Sequence, residues 1–147
     1  MKTTKLYSLI KNIFLGILTS MMILSFTSCT KKIVFINSSV VPAAKGYVNV
    51  KRDNNKNYVI QIHISNLADV TRLQPPKQTY VVWMITDQGK TENIGQIKSS
   101  KSTLSKQLKA SFETVSSSKP VKIFITAEND GSIQYPGGPV VLSTNSF

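Results

Sequence analysis

One Cys, one His and one Trp stand among the 147 residues, so the side chains able to do metal or nucleophilic chemistry can be taken one at a time. A lone Cys and a lone His cannot build a Cys/His zinc site or an intrachain disulfide, and His63 is the single candidate for any His-based catalytic apparatus. General-base work also needs an orienting partner and a nucleophile, which the sequence does not announce, so His63 is expected as a solvated surface residue with catalysis as the alternative. Glu128 and Asp130 flank Asn129 ahead of Gly131 and could supply oxygen ligands to a cation; a turn that exposes two carboxylates explains the same spacing. Trp83 with Tyr80 could stack on a glycan, but Val81, Val82 and Ile85 surround the indole, which favours a core position. Lys98, Lys101, Lys106 and Lys109 occupy twelve residues without an acid. They read either as an anion- or partner-binding patch or as lysines that protect a strand edge from aggregation. Neither a Gly-x-Ser-x-Gly elbow nor a phosphate loop is present, so the expectation is a protein that is not an enzyme and takes no cofactor or metal.

The Cys has a role set by its position. Lys2, Lys5 and Lys11 lie in an acid-free start, and Ile13 to Phe26 is then apolar apart from Gly16, Thr19, Ser20 and Ser25. That run is short for a bilayer span of ~20 residues and reads as a signal peptide over residues 1–28. Phe26-Thr27-Ser28-Cys29 resembles the lipobox of bacterial lipoproteins, with Phe26 where Leu is usual. The resemblance implies cleavage before Cys29, diacylation of its thiol and acylation of the new terminus, palmitate among the chains. Two or three acyl chains, at ~0.8 kcal/mol per buried methylene, make a firm anchor. Removal of Lys2, Lys5 and Lys11 leaves 15 basic against 7 acidic residues, a balance of +8. On the outer side of a membrane such a domain meets anionic headgroups, envelope polysaccharide or an acidic protein; nucleic acid is not an expected partner. Thr30-Lys31-Lys32 carries no acidic run after Cys29, which points the domain toward the periplasm.

The elements that must position these residues read as strands. Residues 29–41 are expected to be a lipidated tether, and residues 42–147 a folded domain. Tyr58, Ile60, Ile62 and Ile64 alternate with Val59, Gln61, His63 and Ser65, the period of a half-buried strand. Asp53-Asn54-Asn55-Lys56-Asn57, a polar turn cluster whose Asn and Asp tolerate left-handed geometry, joins it as a hairpin to a strand over Gly46 to Arg52. Pro75-Pro76 marks a crossing from one sheet to another. Thr79 to Thr86 is apolar on both faces, as in a central strand, and Thr91 to Lys98 returns after a turn at Gly89. Gly95 inside that return predicts a bulge or the close approach of a backbone or large ring. Leu104 to Val115 fits helix and strand spacing alike, strand being favoured by its surroundings; Val121 to Ala127 and Val140 to Ser143 complete about seven strands. The expected fold class is all-β, an Ig-like antiparallel β-sandwich.

Tyr80-Val-Val-Trp83, Gly89, Gly95, Ile123-Phe-Ile-Thr-Ala-Glu128 and Pro136-Gly-Gly-Pro-Val-Val-Leu-Ser143 together resemble the extracytoplasmic carboxy-terminal domain of anti-sigma-K factors, over Pro42 to Thr144. The resemblance implies the sandwich and an extracytoplasmic setting. Members of that family also carry a cytoplasmic sigma-binding domain and a transmembrane helix, whereas only a signal and Cys29 precede the sandwich here. Direct contact with a sigma factor is therefore not expected, and any part in such signalling runs through another envelope protein. The leading expectation is a non-catalytic, lipid-anchored module that binds or supports an envelope component. Its rivals are a carbohydrate or small-ligand module using exposed Tyr and Trp, and a hydrolase built from His63, Glu128 and Asp130.

Overall fold

The computed structural model describes residues 31–98, 100–101 and 108–147, together with Lys11 and Ile13. The signal segment, Cys29 and Lys106 lie outside the described residues, as does the side chain of Lys101. Among the described residues nine strands follow one another: β1 Lys31–Val34, β2 Lys45–Arg52, β3 Tyr58–Ser65, β4 Thr79–Thr86, β5 Thr91–Ile97, β6 Ser100–Lys101, β7 Leu108–Ser116, β8 Pro120–Glu128 and β9 Val140–Ser143. They form two antiparallel sheets, in the orders β1-β2-β3-β7-β6 and β5-β4-β8-β9. The fold is an all-β sandwich, and each of the seven expected strands is present.

Alternation sets the inner faces. Ile60, Ile62 and Ile64 of β3 turn inward with Val48 of β2, against Tyr80, Val82 and Met84 of β4 and Ile123 and Ile125 of β8. Burying each such aliphatic side chain contributes about 1.5–3 kcal/mol. The ambiguous segment around Leu108 is a strand, because β3 offers a complete edge to pair with it, from Tyr58↔Ser116 to Ser65↔Lys109. Between β3 and β4 the chain passes Pro75-Pro76 and changes sheets, as their inability to continue a ladder requires. Gly95 has φ +138°, and a Cβ built there would stand 2.8 Å from the Phe112 ring, the close approach of a large ring that the sequence suggested. A register shift between Val82 and Trp83 in the β4–β5 pairing marks the bulge beside it.

In the β2–β3 turn the left-handed residue is Lys56, with φ 66°, while Asp53 accepts from the backbone amides of Asn55 and Asn57, each at 2.8 Å. Asp53 ties the turn, and the positive φ falls on Lys56, three residues on. The expectation of a tether over residues 29–41 needs correction in its described part, which belongs to the domain: β1 pairs with β2 from Lys31↔Val50 to Val34↔Tyr47. Ile33, Phe35 and Val41 are buried, the Phe35 amide donates to Gly46 O (3.0 Å) and the Ile36 amide to Ser143 O (2.8 Å). Ile33 and Phe35 bury their side chains while Val34 and Ile36 stay exposed, so this short apolar run obeys the same period as β3. The described part of the sandwich starts with β1 at Lys31, and just after β1 the chain reaches across to the second sheet, where Phe35 bridges Thr144 beside β9.

Candidate functional site

The outer faces of the two sheets are built differently. On the second sheet Val81 and Trp83 of β4 alternate away from the shared core, yet both are fully buried. The Trp83 ring stacks on Phe124 of β8 (6.2 Å between centroids, 15° between planes). Its Nε1 donates to Thr126 Oγ1 (2.8 Å), and the Thr126 hydroxyl donates to Glu128 Oε1 (2.7 Å). That oxygen also accepts the amides of Gly137 (3.1 Å) and Gly138 (2.8 Å). Asn93 of β5 donates through Nδ2 to the carbonyls of Gly131 and Ile133, both at 2.9 Å. The loop over residues 129–139 is thereby folded back on the sheet, and its approach at Gly138 is so close that a Cβ would collide with the Ala127 carbonyl.

Glu128 is thus a structural carboxylate, buried and held by a hydroxyl and two amides. Asp130 is exposed and accepts from the Ser132 amide and hydroxyl, both at 2.8 Å, contacts that hold its carboxyl below the usual range, the backbone bond first. The two acids do not converge, and among the described residues no three His, Cys, Asp or Glu side chains stand together. Tyr80 is buried at its ring and donates to Ala68 O (3.0 Å). A glycan platform of Trp83 and Tyr80 is therefore ruled out, because the loop covers one ring and the sandwich interior takes the other.

Among the described residues nothing closes over the outer face of the first sheet. Hairpin register aligns Val34, Tyr47, His63 and Ser111 in one row across β1, β2, β3 and β7. The next row is Lys45, Ser65 and Lys109; on the other side lie Lys32, Asn49, Gln61 and Glu113. Tyr47 is central: Lys32 Nζ stands 4.1 Å from its ring centroid, and the His63 ring lies 5.1 Å away, tilted by 38°. Such a cation over an exposed ring contributes about 0.5–1 kcal/mol, enough to order the side chains and not enough to seal them. A cavity of about 660 Å³ opens here, lined by Lys32, Lys45, Lys109, Tyr47, His63 and the hydroxyls of Ser65 and Ser111. Glu113, the acid in these rows, lies outside that lining and accepts from Gln61 Nε2 (2.9 Å).

Of the four lysines singled out in the sequence, Lys109 belongs to this surface and is exposed. Lys98 is exposed just past the end of β5, in the other sheet, and Lys101 pairs with Leu108 at the β6 edge. His63 is exposed on the polar face of β3, as expected, but its company of Tyr47, Lys32 and Lys45 was not foreseen. The signal was available: Arg52 and Tyr58 flank the turn, so counting back and forward from them equally brings Tyr47 opposite His63. Comparison with known proteins finds no matching family model, no matching curated protein and no matching solved structure.

Proposed function

We propose that this chain is a lipid-anchored, non-catalytic sandwich of the bacterial envelope that binds another envelope component through the open face of its first sheet. The observation that carries the reading is the contrast between the faces. One is sealed by the protein's own loop, while the other keeps Tyr47, His63 and three lysines around a cavity of about 660 Å³. A cavity of that size with a few polar groups at an apolar floor is the ordinary form of a ligand site. The basic balance of +8 that remains after a signal cut supports an anionic partner, since long-range charge raises encounter rates.

The anchor gives this surface its setting. With Cys29 acylated, only Thr30 separates the lipid from the first residue of β1, a reach of at most about 7 Å. The domain is then held at the membrane with no flexible spacer, its first strand rising from the headgroups. A role beside envelope signalling, in the manner that the anti-sigma-K resemblance suggests, would run through a neighbouring envelope protein at this distance. The test is metabolic labelling with palmitate. Wild-type protein takes up label and sediments with membranes, and Cys29→Ser is unlabelled, keeps its leader and loses the acyl anchor. Equal labelling of the two proteins sinks the lipoprotein reading.

A further inference from the structure

We infer that the open cavity takes a phosphorylated sugar, with the phosphate held between Lys45 and Lys109 and the sugar ring laid against Tyr47 and His63. This rests on the proposal that the open face is the binding surface, and it adds the chemical class of the ligand. Lys45 and Lys109 occupy strands β2 and β7, each opposite Ser65 of β3. Their backbones are therefore two strand spacings apart, about 9.5 Å, and both side chains leave the same face. Ammonium groups on four-carbon stems starting at that separation can converge on one tetrahedral anion above Ser65. The cavity lining contains three lysines and no arginine. Point-charge ammonium groups suit phosphate, whereas planar recognition of a carboxylate favours the arginine fork.

The next row supplies a different chemistry. Val34, Tyr47 and His63 are cross-strand neighbours, the two rings 5.1 Å apart, and they give an apolar, aromatic strip one strand step from the cationic pair. Ser111 extends that row with a hydroxyl, and Lys32 caps the far side of Tyr47 at 4.1 Å. A sugar offers both halves of the complement, C–H bonds for the rings and hydroxyls for Ser111 and Lys32. About 660 Å³ accommodates one or two sugar rings. Inorganic phosphate would satisfy the lysine row alone, and a neutral sugar the aromatic row alone.

The chain has one His, so the imidazole signals of full-length protein in detergent micelles report on this surface without ambiguity. Titration with glucose 6-phosphate is expected to move the His63 resonances and to give a dissociation constant at least tenfold below those for glucose and for inorganic phosphate. The double variant K45Q/K109Q should weaken glucose 6-phosphate at least tenfold with its melting temperature unchanged. Y47A should bring glucose 6-phosphate down to the affinity of inorganic phosphate. The inference is overturned if glucose 6-phosphate binds no tighter than inorganic phosphate, if K45Q/K109Q binds it as well as wild type, or if the His63 signals do not move. It is also overturned if glycerol 3-phosphate binds as tightly as glucose 6-phosphate, since the surface then reads lipid headgroups. Palmitate labelling of Cys29 is independent of all these outcomes, so the anchored-module proposal stands or falls separately.

Discussion

The outer faces of the two sheets start from similar strands and end in opposite states. On the second sheet, β4 and β8 present Trp83, Phe124, Thr126 and Glu128; all but Phe124 are buried, and the loop over residues 129–139 is tied back to Glu128. The polar atoms there are linked in one chain: the indole N–H, the threonine hydroxyl and Glu128 Oε1, which ends on two amides. Among the described residues no buried side-chain nitrogen or oxygen is without a hydrogen bond. Such a face can only be structural, because its donors and acceptors are already committed to each other. On the first sheet Lys32 and His63 meet the Tyr47 ring at 4.1 and 5.1 Å, and among the described residues no loop closes over them. The difference separates residues by the use made of their polar groups: Glu128 and Trp83, the most chemically suggestive in the sequence, are occupied within the fold, and Tyr47 and Lys45 face outward.

That contrast can be broken most forcefully at Trp83. Trp83→Ala removes a fully buried ring and the donor to the Thr126 hydroxyl, and is expected to cost about 3–5 kcal/mol in urea unfolding at unchanged slope. A loss below about 1 kcal/mol would mean the loop does not seal this face. Glu128→Ala is the next step down. It strips the acceptor from the Thr126 hydroxyl and from the amides of Gly137 and Gly138, with an expected loss of about 2–3 kcal/mol. It should also raise amide exchange at Gly137 and Gly138, and slow exchange retained there would show that the loop is held by something else.

How far each face could be read from the sequence follows from the range of the interactions involved. The strands of the core were legible because alternation is local: Ile60, Ile62 and Ile64 declare β3 without reference to any neighbour. β1 was read as tether because four residues carry too little periodicity, and its pairing with β2 is a contact across an intervening loop. Gly95 signalled a large ring, but nothing local could name Phe112. The lysine cluster was taken by sequence proximity, whereas the surface collects Lys32, Lys45 and Lys109 from three strands through register. The spacing of Glu128 and Asp130 suggests a turn that exposes both carboxylates, or a cation site; alternation instead sends Glu128 under the loop, and only Asp130 meets solvent.

The inner face gives an intermediate effect, with a pH signature. Burial, and secondarily the charge of Asp69, pushes the Tyr80 phenol up to about 12 from 10.0. Below pH 10 both folded and unfolded chains keep this proton, and the stabilisation is complete. As pH rises from 10 to about 12 the unfolded chain releases the proton first, so stability falls over that window. Tyr80→Phe removes the titrating group along with the bond to Ala68 O. Its stability should be lower than wild type at neutral pH and should decline less steeply between pH 10 and 12. Parallel declines for the two proteins would show that the phenol titrates alike in both states.

The smallest stability effect is expected where the largest binding effect is. Tyr47 is half-buried, and its ring contacts are to Lys32 and His63, which are both exposed. Each contact is made in water, where a cation over a ring contributes about 0.5–1 kcal/mol and Lys32 loses side-chain entropy in making it. Tyr47→Ala should therefore shift the urea midpoint by less than about 1 kcal/mol equivalent, several-fold below Trp83→Ala, although both substitutions delete an aromatic ring from an outward-facing strand position. The same variant removes the Tyr47 ring current from His63, so the imidazole resonances should move even though the fold is kept. If Tyr47→Ala instead destabilises as much as Trp83→Ala, the ring is a packing element and the open face is no more available to a partner than the sealed one. If stability is unchanged and the His63 signals also stay in place, the two rings are not neighbours in solution, and the aromatic strip on which the sugar would lie is lost with them.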